Sequence, residues 1–133
     1  MKYTIVDKRD YLRADLLERD KAEETETFLE AIREAGLKFP RNRLLICVHP
    51  PRAFFRIEKY RASRFLEELG RRPEVRVALV SRHFEVRLLH QYVEALARLK
   101  RARLRSFGDE AGAIRWLTAP EPAVVEPSSA PQP

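Results

Sequence analysis

VRVALVSRHFEVRLLHQYVEALARLKRARLRSFGDEAGAIRWL, residues 75–117, decides the fold. VRVALV at 75–80 is a short apolar-rich run of the kind that forms a strand covered on both faces. After it, Phe84, Leu88, Tyr92 and Leu96 recur at helical spacing with Leu89, Val93 and Leu99 beside them, which predicts an amphipathic helix. RLRSF at 103–107 reads as a second short strand. Asp109 then stands where an N-cap belongs, and EAGAIRWL supplies a short helix whose Ile114, Trp116 and Leu117 can close a core. Strand, helix, strand and helix in so short a space imply parallel strands joined by right-handed crossovers.

Upstream, the pattern repeats. LLICV at 44–48 is a continuous apolar run bounded by Asn42 and by Pro50 and Pro51, and should be the central strand. Ile57, Tyr60, Phe65, Leu66 and Leu69 follow at helical spacing and stop at Gly70 and Pro73. Before LLICV, Asp20 and Glu23 match a capping box, Phe28, Leu29 and Ile32 form a helical stripe, and Gly36 sits where a left-handed C-cap is expected. The opening YTIVDKRDYLRADLLERD alternates at Tyr3 and Ile5 and again at Leu12, Ala14 and Leu16, which predicts an antiparallel hairpin. The expected order is ββαβαβαβα: an α/β fold with a mixed sheet whose opening hairpin supplies the antiparallel edge.

That plan is the plan of the STAS domain. The stretch from VALVSRHFEVRLL, with a strand and an N-cap serine, through HQYVEALAR to FGDEAGAIRWL resembles SpoIIAA-like bacterial proteins of the STAS and CRAL-TRIO fold group, and YLRADLLERDKAEETETFLEAI fits them too. The resemblance spans residues 3–117 and implies a small regulatory binding module. One motif departs from the pattern. Anti-sigma factor antagonists of the STAS group carry an Asp-Ser-Ser-Gly type motif after the central strand, where a phosphorylated hydroxyl at a helix N-terminus switches partner binding. Here that segment reads CVHPPRAFFRIEKY, without serine or threonine, so the phospho-switch does not carry over. The CRAL-TRIO side of the resemblance implies a pocket for a lipid or other small hydrophobic molecule, for which a domain of this size has little interior to spare.

Composition narrows the classes. At 133 residues and 44% hydrophobic content the chain supports one domain with a core. A single cysteine, Cys47, excludes a disulfide framework and multi-cysteine metal sites, and Gly36, Gly70, Gly108 and Gly112 are too scattered for a phosphate-cradling loop. No apolar run approaches the roughly 20 residues that span a bilayer, and MKYTIVDKRDY lacks an export signal's apolar segment, so a cytoplasmic protein is expected. The domain is expected to occupy 1–117. Residues 118–133, TAPEPAVVEPSSAPQP, hold five of the nine prolines and no large aromatic, and are expected to be a disordered tail. Charge is uneven: residues 1–40 carry net −2 and residues 41–117 net +10.

The residues that could carry chemistry are few. His49, His83 and His90 show no HxxxH or HxH spacing, so neither a metal nor a cofactor is expected. Cys47 and His49 share one strand face, but a cysteine inside LLICV reads as core rather than nucleophile. RLKRARLR at 98–105 could suggest nucleic acid, yet its arginines alternate as on one solvated strand face and no stacking aromatics accompany them. The unusual segment is HPPRAFFRIEK, which sets Phe54 and Phe55 between Arg52 and Arg56 after two prolines. Adjacent aromatics do not both turn inward easily, so one is expected to staple the second helix and the other to be exposed, unless both plug the end of the core; arginine beside an exposed aromatic is the favoured make-up of protein-binding surfaces. His49, Arg52, Phe54, Phe55 and Arg56, with Arg82, His83 and Phe84 from the next strand end, therefore form the expected binding site, at the strand ends where open α/β sheets recognise ligands. The expected function is non-enzymatic binding of a protein partner or of a second copy. The alternative is a carrier or sensor of a small hydrophobic or anionic, lipid-like ligand.

Overall fold

A computed structural model describes residues 2–18, 23–38, 42–49 and 59–120. In chain order the elements are β1 (Lys2–Asp7), β2 (Leu12–Glu18), α1 (Glu23–Lys38), β3 (Arg43–Val48), α2 (Lys59–Gly70), β4 (Arg76–Val80), α3 (Phe84–Leu99), β5 (Arg103–Phe107) and α4 (Glu110–Thr118). The five strands lie side by side in the order β1-β2-β3-β4-β5. β1 and β2 run antiparallel and every later pairing is parallel, so β2 to β5 all end at the same edge. LLICV takes the centre.

Alternation along the strands divides the core. Leu12, Ala14 and Leu16 of β2, Leu44 and Ile46 of β3, and Val77 and Leu79 of β4 pack with Phe28, Ile32, Leu66, Leu69 and Ala97 of α1, α2 and α3. Right-handed crossovers between strands laid down in sequence order place their helices on one face. Leu45, Cys47, Ala78 and Val80 point the other way, where Ala113 and Leu117 of α4 cover them. α4 is fixed at both ends. Asp109 caps it by accepting from the Gly112 amide at 2.7 Å, and the buried Arg76 donates through Nη1 to the carbonyls of Trp116, Leu117 and Ala119 at 2.9, 3.2 and 2.7 Å. A guanidinium there satisfies carbonyls that lack a partner in the helix and complements the helix dipole. The expected boundary after Leu117 thus falls inside α4, and the bonded chain continues to Ala119.

Three local expectations are corrected. Gly36 lies inside α1, and no described glycine has positive φ, so it is not a left-handed cap. The N-cap of α3 is His83; Ser81 instead accepts the His83 amide at its hydroxyl, 3.2 Å away. The third concerns the stripe on α3. Leu88 and Leu99 face solvent, as does Phe84, which is expected at the exposed site, while Val93 and Leu96 of the same stripe pack on the core beside the buried Val86, His90 and Ala97. The rotation follows from β5, an edge strand. Glu94 reaches across to accept from the Ser106 amide and hydroxyl, both at 3.2 Å, giving an edge N–H the partner it would otherwise lack. α3 is also held close at its end, where a Cβ on Gly70 of α2 would collide with the Lys100 carbonyl oxygen. The capping-box Asp20, residues 50–58 and residues 121–133 lie outside the described residues.

Candidate functional site

β2 to β5 deliver their C-terminal ends, and α3 and α4 their N-termini, to one edge of the sheet. By the register Asp15–Cys47–Val80–Phe107, side chains two residues further along stand beside one another on the α4 face. His49 and Arg82 occupy that row. His49 Nε2 lies 3.1 Å from Asp15 Oδ1. Arg13 closes on the same carboxylate from its own strand, Nε to Oδ2 at 2.8 Å and Nη2 to Oδ1 at 3.2 Å, and gives Nη1 to Glu110 Oε1 of α4 at 2.7 Å.

The electrostatics of this group favour its ionised form. Burial pushes the Asp15 carboxyl up, but hydrogen bonds from Arg13 and His49 outweigh it and leave the group below the usual carboxylate range. An ionised Asp15 only accepts, so the His49 nitrogen facing it carries the proton. Glu110 is lowered chiefly by the Arg13 hydrogen bond, with Arg82 contributing at longer range. Cys47, next to this cluster, is a different case. Burial raises its thiol to about 12, which removes the thiolate a nucleophile or metal ligand requires. Among the described residues no hydroxyl or thiol is hydrogen-bonded to His49. The Asp15–His49 pair orients an imidazole, 44% exposed, at the rim of the sheet, with no hydroxyl or thiol among the described residues for it to activate.

The expected site residues divide accordingly. His49, Arg82, His83 and Phe84 do come to one edge; Arg52, Phe54, Phe55 and Arg56 lie outside the described residues. Arg82 is exposed and makes no ion pair among the described residues, and Phe84 is 72% exposed. The three histidines do not converge. His49 turns to β2 on the α4 face, whereas His90 is buried on the inner side of α3, where burial, and then Arg87, lowers it to about 4. Nδ1 of His83, Nε of Arg87 and Nδ1 of His90 are buried without a hydrogen-bond partner. Among the described residues no three His, Cys, Asp or Glu side chains are grouped to hold a metal ion, and no helix is long and apolar enough to cross a membrane.

Arg13, Asp15 and Glu110 are site residues that the sequence did not single out. The alternation of β2 places Arg13 and Asp15 together on the face opposite Leu12, Ala14 and Leu16, a signal open to inspection; the link to Glu110 spans most of the chain and leaves no local trace. Three of the five basic residues at 98–105 are engaged within the fold. Lys100 pairs with Glu67 at 3.1 Å, Arg103 donates to the Pro73 carbonyl at 3.1 Å, and Arg105 stacks on Phe107 and Trp116. A cleft of about 1170 Å³ lies between α1 and α2, where Asn42 and Val75 line it at the opposite end of the sheet from His49 and Arg82. Comparison with family models, with curated proteins and with solved structures gives no match.

Proposed function

We propose that this chain is a STAS-like, SpoIIAA-like cytoplasmic module that binds a protein partner through the C-terminal edge of its sheet and carries out no chemistry of its own. The observation that carries it is that Arg82 and Phe84, two residues apart where β4 leads into α3, are both exposed. Arginine and aromatic residues are the types that dominate protein-binding energy. The first-turn amides of α3 and α4 open at the same edge and favour an acidic surface on the partner. Support for a binding role over catalysis comes from Cys47, a buried and protonated thiol, and from His49, whose ring is held by Asp15. The STAS-like assignment is supported by a sheet in sequence order with a leading antiparallel hairpin and with α1, α2 and α3 in one core cluster.

The test is affinity capture from the source organism on the full chain, with proteins and lipids read by mass spectrometry. A protein retained by the wild type and lost with Arg82→Ala, in a variant that melts as the wild type does, supports the proposal. Recovery of an apolar acid as the only specific cargo would replace it with the carrier reading, and turnover of any substrate that disappears with His49→Ala would replace it with an enzyme.

A further inference from the structure

The positive charge of this chain is gathered at one corner. Residues 70–76, GRRPEVR, and residues 98–105, RLKRARLR, hold eight basic residues and one acidic, net +7 against +6 for the whole chain, so the remainder is close to neutral. Read alone, each segment is a turn region with solvated arginines. The fold sets them side by side: Gly70 packs against the Lys100 carbonyl, Arg103 donates through Nη1 to the Pro73 carbonyl at 3.1 Å, and Arg76 and Arg103 stand opposite each other in the β4–β5 register. This corner lies at the N-terminal ends of β4 and β5, the far end of the sheet from Arg82 and Phe84.

Structural demands account for only part of the charge. Arg76 is buried on the α4 carbonyls, Arg72 pairs with Glu74 at 3.4 Å, and Lys100 pairs with Glu67 at 3.1 Å. α2 and α3 both end here, and each helix C-terminus offers a cation only about half a negative charge. Arg71, Arg101 and Arg105 are exposed and form no ion pair among the described residues, and Arg98, 74% exposed, reaches Glu94 only at 4.0 Å. Like charges set together repel, a cost that stands until an anion offsets it. Arg101 adds a backbone cost. Its φ of 61° lies in the left-handed region that favours glycine, yet the position holds an exposed arginine.

We propose that this corner binds the phosphate backbone of double-stranded nucleic acid without reading its sequence. Seven of the eight cations are arginines, whose planar fork suits a phosphate bidentately. Leu99 is the one large apolar side chain exposed in the two segments, too little to hold the chain in a bilayer or to form the apolar centre of a protein interface. Single strands are held by stacking on open aromatic faces, and the nearest rings, Phe107 and Trp116, carry the Arg105 guanidinium at 5.4 and 5.8 Å. A duplex fits the corner better, with a phosphate charge about every 1.7 Å along its axis. The inference goes beyond the edge-binding reading, and because it concerns the opposite end of the sheet either can fail alone.

Fluorescence anisotropy of the full chain with labelled DNA duplexes tests it. With about four phosphates neutralised, affinity should fall about 100-fold between about 50 and 200 mM salt, and two unrelated sequences should bind within about 2-fold of each other. Arg101→Gly, which suits the backbone, should melt no lower than the wild type yet bind about 3-fold or more weakly, with the slope of log affinity against log salt shallower by about 1. Arg71→Glu, a charge reversal in an exposed turn, should lose about 5-fold or more, whereas Lys2→Ala on the far edge strand should stay within about 1.5-fold. Affinity weaker than about 1 mM at the low salt overturns the proposal, as does affinity that Arg101→Gly leaves unchanged. Tighter binding to phosphatidylglycerol vesicles or to polyglutamate than to the duplex also overturns it and makes the corner a membrane or protein surface.

Discussion

The polar cluster between β2, the end of β3 and α4 and the outer face of α3 are opposites in a way that inverts their sequences. Arg13, Asp15, His49 and Glu110 are the residue types of an active site, yet they are turned upon one another in a closed set of short bonds. Phe84, Leu88 and Leu99 are the types of a core, yet they stand in water. Chemistry that satisfies itself is structural until something competes for it, while apolar area left exposed is a cost that the fold has not recovered and a partner can. The surface that acts on a protein partner is therefore sought at Arg82 and Phe84.

The contrast breaks most visibly under substitution of Arg13. Arg13→Ala leaves Asp15 buried with only His49 beside it and Glu110 without its closest cation, and should lower unfolding free energy by about 2–4 kcal/mol in denaturant titrations. A loss under about 0.5 kcal/mol would mean that the cluster is free for function rather than committed to the fold.

Helix α3 supplies the next comparison within one element. Val86→Ala, on the inner arc, should cost about 1–2 kcal/mol, whereas Leu88→Ala, two residues on and across the helix on the outer arc, should stay within about 0.5 kcal/mol. Equal losses would place the stripe inside the core.

Acid sharpens the cluster's side of the comparison. The carboxyls of Asp15 and Glu110 lie lower in the folded chain than in the unfolded one, so their stabilising contribution is complete above the ordinary carboxylate pKa and disappears as pH falls through the folded values, below about pH 4. Asp15→Asn should flatten the stability profile in that window and leave its neutral-pH slope unchanged. Smallest of all is the expected reactivity of Cys47 toward thiol reagents: none in the native chain at pH 8, because burial holds the thiol protonated, and full labelling once denaturant is added.

Local pattern made the elements and their order legible: LLICV at the centre, the alternating hairpin, and Asp109 as the cap of α4. The sheet edge that gathers His49, Arg82, His83 and Phe84 followed from parallel connectivity alone. Which arc of α3 faces inward was not legible, because helical periodicity identifies an apolar stripe but not its direction, and here Glu94 meeting Ser106 of an edge strand sets the rotation. Nor was the grip of Arg76 on the end of α4, or that of Arg13 on Glu110, since both join residues far apart in sequence through geometry that only the folded sheet creates.

The central claim, that recognition resides at the C-terminal edge, is tested most directly by the affinity of a captured partner for two full-length variants of equal stability. One is Arg82→Ala at that edge; the other is Arg72→Ala at the opposite end, where its side chain is exposed. A loss of about 10-fold or more for Arg82→Ala with wild-type affinity for Arg72→Ala is the predicted result. Wild-type affinity for Arg82→Ala, with binding lost in Arg72→Ala, would contradict it and move the working surface to the other end of the sheet.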